Sequence, residues 1–193
     1  MDETRRLVCN AGADAQIIIA DLSTPLGIDK IVSSCTADQL DVLINNAGVS
    51  FVRPFEKLTL DEWQKTLAIN VTAPFLLTQK LLPRMTSGSS IVNILSVSAR
   101  TGFPEWSSYC ASKFALEGFS QSLREELRPR GIRVINIYPS ATATAIWNAI
   151  QGEWPRDRML PPEEVAEAVA YSLSRPASVL VDNIAVGHVS GTI

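Results

Sequence analysis

Histidine and cysteine are scarce in this sequence of 193 residues, and their scarcity excludes several kinds of site. His188 is the only histidine, so we expect neither a zinc site nor a Ser-His-Asp triad, and we predict no bound metal. The three cysteines, Cys9, Cys35 and Cys110, are odd in number and far apart. That pattern is typical of reduced thiols in a cytoplasmic protein rather than of a disulfide framework.

Long apolar runs and clusters of one charge are also missing. No apolar stretch approaches the roughly 20 residues that span a bilayer, and residues 1–6 lack the apolar core of a secretory signal. The net charge is only −3 and no basic run occurs, so we expect neither a nucleic-acid nor a membrane partner. The sequence does have apolar residues, 46% of the chain, which are enough for the core of one domain.

Short β-rich runs alternate with longer helical patterns, an order that is typical of βαβ units. The predicted strands are residues 16–20, 41–45, 90–95, 133–138 and 183–189. Four of them are near-continuous apolar runs, which indicates strands that helices cover on both faces. The sequence therefore predicts an α/β fold with a mostly parallel, doubly wound sheet.

Helix ends are marked by several local signals. Thr59 and Glu62 form the capping box of one predicted helix, and residues 107–128 form another by the spacing of their apolar residues. A third predicted helix begins at Pro161-Pro162-Glu163-Glu164, with proline and acidic residues in its first turn. Gly12 is the predicted left-handed residue after an N-terminal helix.

Tyr109 and Lys113 are the first candidates for chemistry. Four residues apart on a helix, their side chains point the same way. A phenol is a poor acid or base at neutral pH, but a neighbouring ammonium lowers its pKa and makes it useful in proton transfer. The alternative is an ordinary amphipathic helix surface.

Polar residues follow two of the predicted strands, at the ends where parallel sheets bind ligands. Ser96 and Ser98 follow one strand, and position alone does not choose between them. Asn46, Ala47 and Gly48 follow another, although Asn-Ala-Gly is also an ordinary turn sequence.

Asn70 is a candidate for a different reason. Pro74 has no N–H, so the main-chain carbonyl of Asn70 loses its helical partner and could hold a water at a local kink. A plain proline kink without function is the alternative.

In order and spacing, these residues resemble the short-chain dehydrogenase/reductase family. Asn45-Asn46-Ala47-Gly48 comes first, then Asn70, Ser96 and Tyr109-x-x-x-Lys113, and the 12 residues between Ser96 and Tyr109 favour Ser96 over Ser98. The resemblance covers nearly the whole chain. It implies one Rossmann-like domain, residues 1–193, that transfers hydride between NAD or NADP and a small carbonyl or alcohol substrate.

The resemblance also implies a role for each matching residue. Tyr109 is expected to be the general acid/base on the substrate oxygen, with Ser96 as a hydrogen-bond donor to that oxygen. Lys113 is expected to lower the pKa of Tyr109 and to bind the nicotinamide ribose, and Asn70 to hold a water in the relay to Lys113. The other expected cofactor contacts are Asp21 and Leu22 at the adenine, Asn46, Ala47 and Gly48 along the cofactor, and Thr142 and Thr144 at the nicotinamide, with Pro139 in the same segment.

The sequence departs from the family in two places. Ser140 stands where the family has glycine, which adds a side chain near the cofactor. The family's glycine-rich turn, which holds the pyrophosphate, has no counterpart here. We therefore expect a sheet truncated by the first two strands, and weak or absent NAD(P) binding. The choice between NAD and NADP cannot be predicted, because the family residue that selects the cofactor lies at the end of the second strand, which has no counterpart here.

Two classes of function follow. The first is an active oxidoreductase, expected by resemblance to be a homodimer or homotetramer. The second is a chain that keeps the pattern without binding cofactor and serves as an interaction or structural subunit. Phe103, Trp106, Trp147 and Trp154 indicate an apolar substrate pocket, or else packing anchors in loops. Residues 141–160 are predicted to be a lid or a simple loop.

Overall fold

A parallel sheet of four strands organises the protein, whose computed structural model describes residues 2–150 and 152–191. The strands lie in the order β1–β2–β3–β4, and every neighbouring pair is parallel. Their bounds are β1 Val42–Asn45, β2 Ser90–Ile94, β3 Arg133–Pro139 and β4 Asn183–Val186. Four of the five predicted strands and the α/β class are thus confirmed.

Six α-helices occur within the described ranges. They are α1 (Asp2–Asn10), α2 (Pro25–Ser34), α3 (Leu60–Leu67), α4 (Ala73–Leu81), α5 (Ser107–Leu127) and α6 (Pro162–Leu173). A π turn (Ala68–Thr72) joins α3 to α4, and short 3-10 turns lie at Phe55–Lys57, Leu82–Arg84, Val97–Ala99, Arg128–Arg130, Ala145–Ala149 and Arg156–Arg158. None of the helices in the described ranges has the length and apolar character needed to cross a membrane.

The predicted helix ends are confirmed. Thr59 and Glu62 bond reciprocally at the start of α3, which satisfies two N–H groups that the helix itself cannot. Pro162 begins α6 and is followed by two acidic residues, whose charge is favourable at that end of the helix dipole. Gly12 adopts φ +84° and donates its N–H to the Cys9 carbonyl at 3.0 Å, as expected for a helix C-terminus.

The sheet is covered on both faces, as its apolar strands predict. Side chains alternate along β3, so Val134 packs with Leu123 and Leu127 of α5 while Ile135 packs with Val165 of α6. The apolar layers on the two faces hold the carboxyl ends of the strands in place, and the polar residues that follow those ends become neighbours.

One row of the sheet is polar. Asn45, Asn93, Asn136 and Asn183 stand in register on β1, β2, β3 and β4. Asn45 donates from Nδ2 to Asn93 Oδ1 at 2.8 Å, and Asn93 donates from Nδ2 to Ser120 Oγ of α5 at 2.9 Å. Because these groups are buried, they need their partners, and the row fixes the alignment of β1, β2 and α5.

The predicted strand at residues 16–20 is wrong. This segment has no ladder partner among the described residues, and Ile19 is 66% exposed. β1 pairs with β2 alone, and a strand forms only when its N–H and C=O groups find a neighbour. After the unpaired segment the chain turns at Asp21 and enters α2, where Gly27 lies so close to the Asp21 carbonyl that a Cβ would overlap it.

Candidate active site

The carboxyl ends of β1, β2 and β3 open into a cavity of about 830 Å³. Parallel sheets bind ligands at these ends because the following loops converge there. The structure places most of the sequence-predicted residues in the wall of this cavity: Asn46, Ala47, Gly48, Ser96, Tyr109, Lys113, Pro139, Thr142 and Thr144.

Tyr109 and Ser96 line the same cavity, and the Ser96 side chain acts to lower the pKa of the Tyr109 phenol. Tyr109 lies in the first turn of α5, and Ser96 lies two residues after the end of β2. Ser96 Oγ accepts the Ser98 N–H at 3.1 Å, which caps the turn at Val97–Ala99 and holds the serine near the strand end. Ser98 lines the cavity as well but is buried, with 5% of its surface exposed. Of the two serines, Ser96 is the one that influences the pKa of the phenol.

Lys113 lies one helical turn beyond Tyr109 and is buried, with 4% of its surface exposed. Its Nζ donates to the Ile94 carbonyl at 2.8 Å and stands 5.5 Å from the centre of the Tyr109 ring. The ammonium is thus tied to the end of β2 and faces the same cavity as the phenol.

Burial shifts the pKa values of both side chains. Desolvation raises the pKa of Tyr109 to about 12, and the Ser96 side chain offsets only part of that rise. Burial lowers the pKa of Lys113 to about 8, since a buried ammonium loses its hydration. Lys113 is not among the causes of the Tyr109 shift, so its role in lowering that pKa stays a prediction.

Asn70 lies behind the cavity wall and joins two of its elements. Its side chain accepts the Val49 N–H and donates to the Val49 carbonyl, both at 2.9 Å, and it donates to Ser112 Oγ at 3.0 Å. The loop after β1 is thereby fixed to α5. The backbone here is a π turn in which the Ala73 N–H bonds to the Ala68 carbonyl, a local adjustment directly before Pro74. The water relay through the Asn70 carbonyl stays a prediction.

Two predicted contact residues are not brought to the cavity. Asp21 accepts the Ser23 N–H at 2.9 Å and the Ser23 hydroxyl at 2.7 Å, bonds that lower the pKa of its carboxyl. Leu22 lies in the same turn before α2. The turn is thus explained by its own hydrogen bonds, and the adenine contacts of both residues stay predictions.

Ser140, which replaces a family glycine, does not obstruct the cavity. Its Oγ accepts the His188 N–H at 3.3 Å, and its own N–H bonds to the Val186 carbonyl at 2.8 Å. The side chain is therefore accommodated by the segment that follows β4. The neighbouring Pro139 and Thr142 still line the cavity.

Aromatic residues form one wall of the cavity. Trp106 stands edge-to-face with Tyr109 at 5.6 Å and with Trp147 at 5.8 Å, measured between ring centroids. Trp154 packs behind Trp147 at 4.8 Å. Residues 141–150 and 152–160 contain only short 3-10 turns, and a bridge between Thr142 and Leu160 ties the two stretches together. Trp106, Trp147 and Phe103 thus line the cavity, whereas Trp154 supports it as a packing anchor.

The sequence analysis missed several apolar lining residues. Ile146 and Ile150 come from the loop, and Val165 and Val169 come from α6. The spacing of four between Val165 and Val169 is a usable signal, because it marks one helix face. Ile146 and Ile150 lie in an irregular segment, where no periodicity identifies which side chains face inward.

The chain is similar in sequence to characterised proteins. The profile of the short chain dehydrogenase family matches residues 2–154. D-threitol dehydrogenase of Mycolicibacterium smegmatis is 35% identical over 153 residues, 74% of this chain, and the match spans only 59% of that protein. Sepiapterin reductase of Chlorobaculum tepidum is 31% identical over 192 residues, 97% of this chain and 78% of its own length.

The fold is similar to solved structures as well. A short-chain dehydrogenase from Burkholderia cenocepacia, crystallised in complex with NADP, has a TM-score of 0.86 and 28% identity, over 96% of this chain and 80% of that one. The shared fold includes the parallel sheet whose carboxyl ends form the cavity described above.

Proposed function

The chain belongs to the short-chain dehydrogenase family, and from that premise we propose that it transfers hydride between a nicotinamide cofactor and a carbonyl or alcohol carbon. The observation that carries the proposal is the convergence of Ser96, Tyr109 and Lys113 in the wall of one cavity, with Lys113 one turn beyond Tyr109 on α5. A chain kept only for interaction or structure needs no such convergence of polar groups in an otherwise apolar cavity. The reductase or dehydrogenase role is therefore the better explanation.

Tyr109 is the proton donor in this proposal. The phenol is protonated at neutral pH, so it can donate its proton to a carbonyl oxygen once hydride transfer makes that oxygen a stronger base than the phenolate. The proton passes from Tyr109 to the carbonyl oxygen as the carbon–oxygen double bond becomes single, and an alcohol is released. Ser96 donates a hydrogen bond to the same oxygen and stabilises the negative charge that develops there.

The cavity fits the nicotinamide end of the cofactor. When bound, the nicotinamide supplies or accepts the hydride. Lys113, Thr142 and Thr144 are the polar residues that would hold it. Gly48 lies beside Lys113, since a Cβ at position 48 would be in ordinary contact with Lys113 Nζ at 3.9 Å and with Asn70 Oδ1 at 3.5 Å.

The pyrophosphate end has less support in this chain. No glycine-rich turn occurs in the sequence, so we propose that the chain by itself holds NAD or NADP weakly. The bound NADP in the Burkholderia cenocepacia structure makes NADPH the first cofactor to try. Titration with NADPH and NADH, followed by nicotinamide fluorescence, measures both affinities. Micromolar affinity for either cofactor would overturn the proposal of weak binding.

Activity is tested with NADPH raised until the rate no longer increases, against a panel of ketones and aldehydes, by the loss of NADPH absorbance. We expect slow but measurable reduction that depends on Tyr109. If no carbonyl is reduced at any NADPH concentration, the proposed reaction is wrong for this chain. The cytoplasmic location, the homo-oligomer and the single-domain organisation of residues 1–193 stay predictions.

A further inference from the structure

We propose that the substrate of this site is an uncharged ketone or secondary alcohol with a flat, apolar body that packs against Trp106 and Trp147. The inference rests on the proposed function, because it places the reacting oxygen at Tyr109. It adds the chemical class of the rest of the molecule. Three features of the cavity support it: its near absence of charge, its aromatic wall, and the hydrogen bonds that polar atoms beside this wall already make within the protein.

The cavity offers almost no charge to a substrate. Lys113 is the only charged side chain among the lining residues that the structure describes. Its Nζ already donates to the Ile94 carbonyl at 2.8 Å and is buried beside Tyr109. A carboxylate or phosphate on the substrate would therefore lose its hydration without gaining a counter-ion on the aromatic side.

The aromatic wall has the right place and shape for a planar group. Trp106 contacts Tyr109 edge-to-face at 5.6 Å and Trp147 at 5.8 Å, measured between ring centroids. The indole rings therefore lie next to the position of the reacting oxygen at Tyr109. Ile146 and Ile150 continue the apolar lining from the same loop as Trp147. Trp154 packs against Trp147 from behind at 4.8 Å and limits its movement.

Two polar groups beside this wall already have partners within the protein. Trp147 Nε1 donates to the Thr142 carbonyl at 2.8 Å, and Thr142 Oγ1 donates to the Ser140 carbonyl at 3.0 Å. Ser96 and Tyr109 are needed by the reacting oxygen. The indole faces and the isoleucine side chains offer no hydrogen-bond partner, so a polyol would bury hydroxyl groups against them unpaired, and an apolar pocket discriminates against an added hydroxyl by about 10²-fold.

The experiment measures binding to the chain without cofactor, by quenching of tryptophan fluorescence. The probes are 1-phenylethanol, mandelate, which carries a carboxylate in place of the methyl group, and threitol, a small polyol. We expect 1-phenylethanol to bind at least about tenfold more tightly than mandelate and about 10²-fold more tightly than threitol. Tighter binding of threitol or of mandelate would overturn the inference.

Three variants test where 1-phenylethanol binds and whether the apolar wall causes its preference over mandelate. Trp147→Leu should weaken the binding of 1-phenylethanol about tenfold or more, whereas Trp63→Leu, on α3 and away from the cavity lining, should leave it unchanged. Ile146→Lys places a cation in the wall without removing a tryptophan, so it should reverse the preference in favour of mandelate. If Ile146→Lys leaves the order of the three probes unchanged, the apolar wall does not determine the ligand class.

Turnover with NADPH is measured separately, on acetophenone and erythrulose, the ketones that correspond to 1-phenylethanol and threitol. Reduction of erythrulose in preference to acetophenone contradicts the substrate class while the proposed reaction stands. Tight binding of 1-phenylethanol without reduction of either ketone contradicts the proposed reaction instead, and with it the role of the bound molecule as a substrate.

Discussion

Lys113 donates a hydrogen bond of 2.8 Å from its Nζ to the main-chain carbonyl of Ile94, and this bond turns a buried ammonium toward the end of β2. A carbonyl dipole replaces only part of the hydration that the ammonium loses on folding. Burial therefore lowers the pKa of Lys113 to about 8 from its ordinary value of 10.5. At neutral pH most Lys113 side chains are charged, so the burial of this ammonium lowers the free energy of unfolding.

The first prediction is that the protein becomes more stable as the pH rises above 8. Between pH 8 and 10.5 the unfolded chain holds a proton on Lys113 that the folded protein releases, so the free energy of unfolding rises with pH in this window. We expect a rise of about 1 to 2 kcal/mol from about pH 7 to about pH 9.5, measured by urea denaturation. Lys113→Met should remove it.

Two comparisons make this prediction specific. Lys57→Met, at an exposed position, should keep the rise of the wild type. Tyr109 acts in the opposite direction at higher pH, because its folded pKa of about 12 exceeds the ordinary 10.0 and the stability it contributes is lost as the pH rises from 10 to 12. A wild-type stability that is flat or falling between pH 8 and 9.5 would contradict the assignment to Lys113.

The second prediction concerns the proton donor. Tyr109→Phe removes the phenol hydroxyl that we propose as the proton donor to the substrate oxygen. Ketone reduction should fall by at least about 10²-fold, the contribution typical of a general acid. Cofactor affinity should change little, because the ring and Lys113 remain. Tyr171→Phe, at an exposed tyrosine of α6, is the matched control, and near-wild-type turnover of Tyr109→Phe would refute the assignment.

The sequence predicted where strand-like apolar runs lie, but it could not predict which of them pair with a neighbouring strand. Residues 42–44 and residues 17–19 are equally apolar runs, yet only the former pair with a neighbouring strand. Composition cannot show whether a strand meets a partner. Position alone did not choose between Ser96 and Ser98, and it was the family resemblance, with 12 residues between Ser96 and Tyr109, that predicted Ser96 beside Tyr109. The pKa of Tyr109 was not predictable, since it depends on burial and on where the Lys113 ammonium points.

The third prediction tests Asn70 as a positioning residue. Asn70→Ala would remove three hydrogen bonds, to the Val49 N–H, the Val49 carbonyl and Ser112 Oγ. Groups left unpaired in a buried site should lower the free energy of unfolding by about 2 to 3 kcal/mol, measured by urea denaturation. Gln64→Ala, at an exposed position on α3, should change it by less than about 0.5 kcal/mol.

The effect of Asn70→Ala on activity separates positioning from general destabilisation. Because Val49 follows Gly48, for which we propose a cofactor contact, release of this loop should raise the KM for NADPH more than it lowers kcat for the ketone. Asn70→Asp keeps the acceptor for the Val49 N–H but loses both donated bonds, so its KM should lie between those of Asn70→Ala and the wild type. An unchanged KM for NADPH in Asn70→Ala would show that Asn70 does not position the loop.

The last prediction concerns the polar row within the sheet. Asn45 and Asn93 share a buried side-chain bond of 2.8 Å, and a shift of β1 by one residue would break it and turn the apolar side chains of β1 to the wrong face. Both Asn45→Ala and Asn93→Ala should destabilise the fold, and Asn93→Ala should cost more because it also loses Ser120. The double variant should lose about 1 kcal/mol less than the sum of the two, since the shared bond can be removed only once. Losses that add within about 0.3 kcal/mol would mean that the two asparagines are energetically independent, and that apolar packing alone sets the register of β1.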